Sequence, residues 1–202
     1  MRVCDNFELG YLSGLVVGDC SLFAQKSRNY GIRLETTDKE LASQFCKTIK
    51  TLNPFQKIFS YHRIHGFSKK LSIIKIINSK ELYERFRPYK KADYHWEIPS
   101  FLQDIESKRG FLKGIFDAEG GIYAPTKSHC KPYLYLFSKH EDNLRQIAYL
   151  LSEFKIESKI WHVKKNECEL SIGKKEGRRL FSQDIGFRLP RKCLLLQKYG
   201  GI

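Results

Sequence analysis

The sequence predicts an α+β protein of two pseudo-symmetric αββαββα halves, each an antiparallel sheet with helices on one side, joined by a two-helix interface. Three observations predict it. A segment at residues 9–22, "LGYLSGLVVGDCSL", returns as "RGFLKGIFDAEGGI" at 109–122. After each copy, apolar and polar residues alternate with the period of half-buried strands. Between the alternating runs lie stretches with helical spacing.

The elements follow in order. A first helix ends at Asp19. Strands are expected near 20–27 and 31–37, where Ile32 and Leu34 alternate with Arg33 and Glu35. A helix over 39–52, strands near 56–64 and 70–78, and a helix over 79–87 complete the first half. The linker "RPYKKADYHWEIPSFLQDIESK" follows, with Ser100 and Gln103 placed as a capping box for a short helix. In the second half a helix ends at Glu119. Strands are expected near 121–126, 132–138, 157–164 and 167–173, with helices over 140–154 and 174–184. Leu134 and Leu136 alternate there with Tyr133 and Tyr135. The correspondence extends beyond the opening helices. "IRLETTDKELASQFCKTIKTL" matches "LYLFSKHEDNLRQIAYLLSEF". A period near 100 means a duplicated domain: residues 1–87, a linker at 88–106, and residues 107–202.

Composition bounds the function. Thirty-six Lys and Arg against 22 Asp and Glu give the 202-residue chain a net charge of +14. That exceeds what solubility requires and points to a polyanion partner, nucleic acid first. The cysteines are scattered with no C-x-x-C pair, so zinc is not expected and reduced thiols are. No apolar run approaches a membrane span, and the N-terminus lacks a signal-peptide pattern. A soluble intracellular protein is expected.

The repeat sorts the acids. Asp117 aligns with Val17, whereas Glu119 aligns with Asp19. On a helix, Asp117 and Glu119 point about 200° apart. Asp19 and Glu119 are therefore the expected functional pair, and Asp117 a residue of solvation or packing whose change to Asn should be tolerated. Gly14 with Gly18, and Gly114 with Ala118, place small residues one turn apart, the spacing that lets two helix backbones touch. Packed helices would bring both acids to one end, beside the unpaired carbonyls of a helix C-terminus. Carboxylates with the carbonyls of Gly18 and Ala118 form an oxygen-only site suited to Mg²⁺.

Leu12-Ser13-Gly14-Leu15-Val16-Val17-Gly18-Asp19-Cys20 and Leu112-Lys113-Gly114-Ile115-Phe116-Asp117-Ala118-Glu119-Gly120 resemble the two motifs of a single-chain LAGLIDADG homing endonuclease. Cys20 departs from the motif's final glycine. The resemblance implies saddle-shaped sheets about a pseudo-two-fold axis and a monomer. It implies cleavage of double-stranded DNA, one phosphodiester per strand, with Mg²⁺ or a substitute such as Mn²⁺. It also implies an intron-encoded origin and metal-binding acids at Asp19 and Glu119. It places further active-site positions at Thr37, Lys80, Ser138, Lys139 and Lys174, with Lys139 the best placed to meet phosphate charge. The alternatives are an intron RNA maturase or a non-cleaving DNA-binding protein on the same fold.

Phosphodiester hydrolysis needs an in-line water and a Lewis acid, which metals on two acids supply without a protein nucleophile. His62 and His65 fall on a strand and point to opposite faces. Strands of about nine residues span about 30 Å, so two halves would read roughly 20 base pairs. The sheet face away from the helices is the expected DNA-contact surface. It offers Gln25, Arg28, Arg33, Glu35, Lys57, Tyr61, Arg63 and Lys75 in the first half, and Tyr133, Tyr135, Lys159, Trp161 and Glu169 in the second. The tail "RLPRKCLLLQKYGG" is expected to pack on the second half, with Arg188, Arg191 and Lys192 near the DNA backbone.

Overall fold

A computed structural model of the chain describes residues 3–25, 29–64, 70–125, 131–165 and 167–200. The first half runs α1 (Val3–Gly18), β1 (Cys20–Gln25), β2 (Asn29–Thr36), α2 (Lys39–Leu52), β3 (Ile58–Ile64), β4 (Leu71–Asn78) and α3 (Lys80–Phe86). The second runs α4 (Ile105–Glu119), β5 (Gly120–Tyr123), β6 (Tyr133–Ser138), α5 (Glu141–Glu153), β7 (Lys159–Lys164), β8 (Glu167–Ile172), α6 (Lys175–Asp184) and α7 (Pro190–Tyr199). The two sheets have strand orders β1-β2-β4-β3 and β5-β6-β8-β7, with antiparallel neighbours. The expected fold class is the one observed. The strands hold four to eight residues, fewer than the nine expected. Arg28 and His65 lie outside the described residues.

Local chemistry sets the element boundaries. Asp38 Oδ1 accepts from the N–H groups of Glu40 (2.9 Å) and Leu41 (3.2 Å), satisfying two orphan donors at the start of α2. α2 then buries Leu41, Phe45 and Ile49 at four-residue spacing against Ile32, Leu34 and Ile77 of the sheet. Asp104 starts α4 in the same way. The helix expected from Ser100 and Gln103 does not form. Residues 100–101 make a turn instead, and Ser100 Oγ meets Tyr89 Oη at 2.7 Å. The next acid, Asp104, is the better cap because it opens the long apolar helix.

The α1–α4 interface is closer than ordinary helix packing permits. A Cβ on Gly10 would lie 2.0 Å from Ser107 O, on Gly14 2.4 Å from Phe111 O, on Gly110 2.2 Å from Phe7 O, and on Gly114 2.3 Å from Tyr11 O. The small-residue stripe is thus one turn longer than Gly14, Gly18, Gly114 and Ala118 alone. Gly10 and Gly110 extend it. The cores interleave across this seam. Val17 of α1 packs into the second half's core, and Leu189 from the tail into the first half's.

Asp117 takes the packing alternative of its expectation, not the solvated one. It is buried, and its Oδ2 accepts from Tyr11 Oη (2.7 Å) and from the backbone N–H of Arg188 (3.0 Å). The Arg188 guanidinium pairs in bidentate fashion with Glu8 and lies 4.4 Å from the centre of the Tyr11 ring. The carboxylate therefore ties α4 to α1 and to the tail, and it is not a solvated bystander. Arg191 pairs with Asp38, Arg188 with Glu8, and both partners belong to the first half. The apolar residues Phe187 and Leu196 pack on the second half as expected, so the tail straps the two halves together.

Two sets of variants test this joint by thermal or denaturant unfolding. Gly114→Ala must push two backbones apart and should cost about 3 kcal/mol, the upper range for overpacking. Gly173→Ala, where an added Cβ meets nothing within 4 Å, should change stability by less than about 0.5 kcal/mol. Asp117→Ala strands a buried phenol and an N–H and should cost about 3–5 kcal/mol. Asp117→Asn should cost about 1–3 kcal/mol.

Candidate metal centre between the motif helices

Both motif helices end at the same place. α1 closes at Gly18, with the Asp19 N–H still donating to Leu15 O (3.0 Å). α4 closes at Glu119, with the Gly120 N–H donating to Phe116 O. A Cβ on Gly18 would stand 2.7 Å from the Ala118 Cβ and 3.4 Å from the Glu119 Cγ. The seam that begins at Gly10 thus delivers the two acidic positions side by side.

The electrostatics agree with that placement. Burial and the neighbouring Asp19 push the Glu119 carboxyl up to about 7, although its outer surface reaches solvent. Burial also raises Asp19, against the lowering pull of Lys192 and Lys90. Among the described residues neither acid has a basic group within salt-bridge distance, and no third His, Cys, Asp or Glu joins them in a cluster. Two crowded carboxylates that resist ionisation, with hard oxygen donors around them, fit a divalent cation that keeps several waters.

Two lysines stand here, Lys90, absent from the sequence reading, and Lys192, expected there only near the DNA backbone. Lys90 Nζ donates to Val16 O (2.9 Å) and Val17 O (3.3 Å) at the end of α1. Lys192 Nζ donates to Phe116 O (2.9 Å), Asp117 O (2.6 Å) and Gly120 O (2.6 Å) at the end of α4. The helix ends are therefore capped by ammonium groups, Lys192 buried and Lys90 half-buried, not open as expected. The carbonyls of Gly18 and Ala118 are the ones beside the acids that these lysines leave alone. Burial lowers both lysines, Lys192 to about 8. A signal for them was present. Pro88-Tyr89-Lys90 and Pro190-Arg191-Lys192 share a P-x-K pattern about 70 residues after their own half's acid.

The other expected site residues separate into two groups. Lys139 lines a cleft of about 420 Å³ together with Gly18, Glu119 and Ser138, and it is held by Asp93 (3.5 Å) and the Tyr94 ring (4.0 Å). Thr37 is exposed beside Asp38, a residue whose charge reaches Asp19. These two stand near the acids. Lys80 and Lys174 do not. Lys80 lies over Tyr30 at the outer end of β2, about four strand residues or 13 Å beyond Leu34, the residue paired with Cys20. Lys174 pairs with Glu157 at 2.5 Å and lines a separate outer cavity. In both cases a strand and the turn after it carry the lysine away from the motif helices.

The register also sorts the sheet residues. Ser21, Arg33, Ile76 and Phe59 are cross-strand partners, as are Glu35, Ile74 and Tyr61. They form the face away from the helices, and Gln25, Lys57 and Arg63 share its parity. Lys75 does not. It pairs with Leu34 and its Nζ donates to Ser60 Oγ (2.7 Å), on the helix side of the sheet. The alternation was read one residue out on β4, whose Ile73-Ile74-Lys75-Ile76-Ile77 run is apolar on both faces. In the second half Tyr133, Tyr135, Lys159, Trp161 and Glu169 all lie on the open face.

This geometry, two acids at the touching ends of duplicated motif helices under a pair of four-stranded sheets, is that of the LAGLIDADG class. A family model of the LAGLIDADG-like domain matches residues 6–90 and again 106–186, and the chain belongs to that family. A structure of the homing endonuclease I-DmoI in complex with DNA and calcium superposes with a TM-score of 0.68, at 19% identity, over 96% of this chain and 98% of that one. Full-length WhiA from Thermatoga maritima gives 0.64 at 18% identity, over 96% of this chain and 60% of that one. These identities establish the fold alone. In sequence, the uncharacterized protein MJ0398 of Methanocaldococcus jannaschii is 27% identical over 95% of this chain and 70% of its own length.

Linkage gives a pH test. Folding raises the Glu119 pKa from an ordinary 4.5 to about 7, so the native state holds more protons between those values. The stability present below pH 4.5 is lost as pH rises toward 7. In the absence of divalent ions, Glu119→Gln should therefore unfold at a higher temperature than the parent at pH 8 and at the same temperature at pH 4. Calorimetry at the two pH values checks this.

Proposed function

We propose that the chain is a site-specific double-stranded DNA endonuclease that hydrolyses one phosphodiester in each strand with divalent metal ions. The pairing of Asp19 and Glu119 at one point, with a sheet on either side, carries the reading. One acid comes from each half, so a pseudo-two-fold axis between them matches two antiparallel strands of a duplex. The basic excess of 14 charges favours a polyphosphate partner, and among the described residues no helix is long and apolar enough to cross a membrane.

Asp19 and Glu119 would hold the metal, with the Gly18 and Ala118 carbonyls beside them. A bound Mg²⁺ supplies Lewis acidity at the scissile phosphate and lowers the pKa of a coordinated water. The protein's own residues do the rest. Lys90 and Lys192 fix both helix ends and keep positive charge within reach of the phosphates. Lys139 waits at the rim, where a phosphate oxygen can replace Asp93 as its partner. The open sheet faces seat the duplex. Strands of eight residues in β2 and β4 and six in β6 and β8 span about 26 and 20 Å, or about eight and six base pairs. With the central step and the connecting loops, the target approaches the 20 base pairs expected from sequence. A single chain supplies both acids, so a monomer suffices.

The likeness to WhiA, which bears the name of a probable cell division protein in two bacterial relatives, favours a second reading. It is a binding protein on the same fold that does not cut. Incubation with a random-sequence plasmid library and Mg²⁺, followed by sequencing of linearised products, separates the two. The nuclease reading expects a recurrent cut site, and Asp19→Asn or Glu119→Gln should abolish double-strand cleavage while binding stays within about threefold. Binding without cutting in Mg²⁺, Mn²⁺ or Co²⁺ would establish the second reading. In either case affinity should fall steeply between 50 and 200 mM salt, by about 10³-fold or more for six phosphate contacts.

A further inference from the structure

The two halves present different chemistry on their open faces. On β2, the central strand of the first half, that face carries Gly31, Arg33 and Glu35. The matching strand β6 carries Tyr133, Tyr135 and Phe137. The substitution is not a change of core, because Ile32 and Leu34 are answered by Leu134 and Leu136 on the buried side. It is confined to the face that a duplex would meet.

The rings form a continuous tier. Tyr123 and Tyr133 stack with centroids 5.0 Å apart at 14°. Tyr123 lies 5.2 Å from Tyr135, and Tyr135 lies 5.1 Å from Phe137. The tier is seated on bare backbone, since a Cβ on Gly121 would come within 2.4 Å of the Tyr135 hydroxyl oxygen. Trp161 continues it across Glu169 on the neighbouring strand, and is 54% exposed. The first half has open-face rings too, Phe23, Phe59 and Tyr61 on its flanking strands, but at the central strand the second half offers rings where the first offers a guanidinium.

That difference decides which bases each half can read. Guanine presents two acceptors in the major groove, which call for the paired donors of Arg or Lys. Thymine presents a methyl group and one acceptor, which call for an apolar surface with an occasional donor. Arg33, which pairs with Glu35 in the unbound protein, and Arg63 on the first-half face supply the former. The aromatic tier supplies the latter, with tyrosine hydroxyls to meet the thymine O4 or adenine N7.

Building on the duplex-reading role given above, we infer that the second half is a thymine-methyl reader, so that its half of the target is A·T-rich while the first half's contains guanines. Specificity is divided between the halves by the aromatic tier and the arginines.

The test uses the full chain with Ca²⁺ in place of Mg²⁺, and a library of random 24-base-pair duplexes from which bound molecules are sequenced. The enriched site should be lopsided, with thymines or adenines through one half. Replacing those thymines by deoxyuridine removes only the methyl and should weaken binding about fourfold per contacted position, from the burial value of one carbon. Deoxyuridine in the other half should change affinity less than twofold. Phe137→Ser should erase the deoxyuridine effect, which assigns the A·T-rich half to the second sheet, and Arg33→Ala should relax guanine preference in the opposite half. The deoxyuridine comparison is made on the parent protein, so a poorly folding variant leaves it intact. An enriched site without A·T bias in either half, or one insensitive to deoxyuridine, overturns this inference while the duplex-reading role stands. Recovery of no enriched sequence overturns that role itself.

Discussion

The structure depends on one contact: two helices whose backbones touch because Gly10, Gly14, Gly110 and Gly114 leave room for the facing backbone, with Gly14 directly against Gly114. Close approach puts Gly18 against Ala118, and the residue following each is an acid. Bulkier residues anywhere on the stripe would separate the helix ends by ångströms, and a carboxylate pair is sensitive to distances of that size. The seam is thus both the joint between the halves and the device that assembles the site. Because the two cores interleave across it, the halves are stabilised together and the site is positioned by the densest part of the molecule.

Bringing two acids and two helix C-termini to one point concentrates negative potential. The protein answers it without neutralising the acids directly. Lys90 and Lys192 spend their hydrogen bonds on the carbonyls of positions 16, 17, 116, 117 and 120. The helix ends are satisfied, and the carboxylates are left crowded and short of partners. That residual tension shows as the raised Glu119 and Asp19 pKa values. A site so arranged is matched to a cation that arrives from solvent. The third acid of the region, Asp117, has the opposite lot. Its Oδ2 is taken by Tyr11 and by the backbone N–H of Arg188, and its work is to hold the tail across the seam.

Much of the fold was legible because duplication supplies its own control. Val17 opposite Asp117 and Asp19 opposite Glu119 separate the acid at the joined helix ends from the acid buried in the seam. The same comparison, applied to the P-x-K segments, would have pointed to Lys90 and Lys192. What the sequence did not show was set by three-dimensional placement. Asp117 reads as a surface or packing residue until its phenol partner 106 residues away is known. The tail's arginines look like phosphate ligands because their acidic partners lie in the other half. Lys75 is ambiguous in sequence because isoleucines on both sides, Ile73, Ile74, Ile76 and Ile77, hide which face of β4 is which. Lys80 and Lys174 enter through the family resemblance alone, and only the three-dimensional register shows that their strand ends lie away from the centre.

The central claim is that Asp19 and Glu119 form one electrostatically coupled pair at the helix seam. NMR titration of the Glu119 side-chain carboxyl, in the parent chain and in Asp19→Asn, tests it most directly. The account predicts a midpoint near 7 in the parent, a lower one when the neighbouring charge is removed, and a lower one again in the parent when Mg²⁺ is added. A Glu119 that titrates near 4.5 in both proteins, indifferent to Mg²⁺, would contradict it.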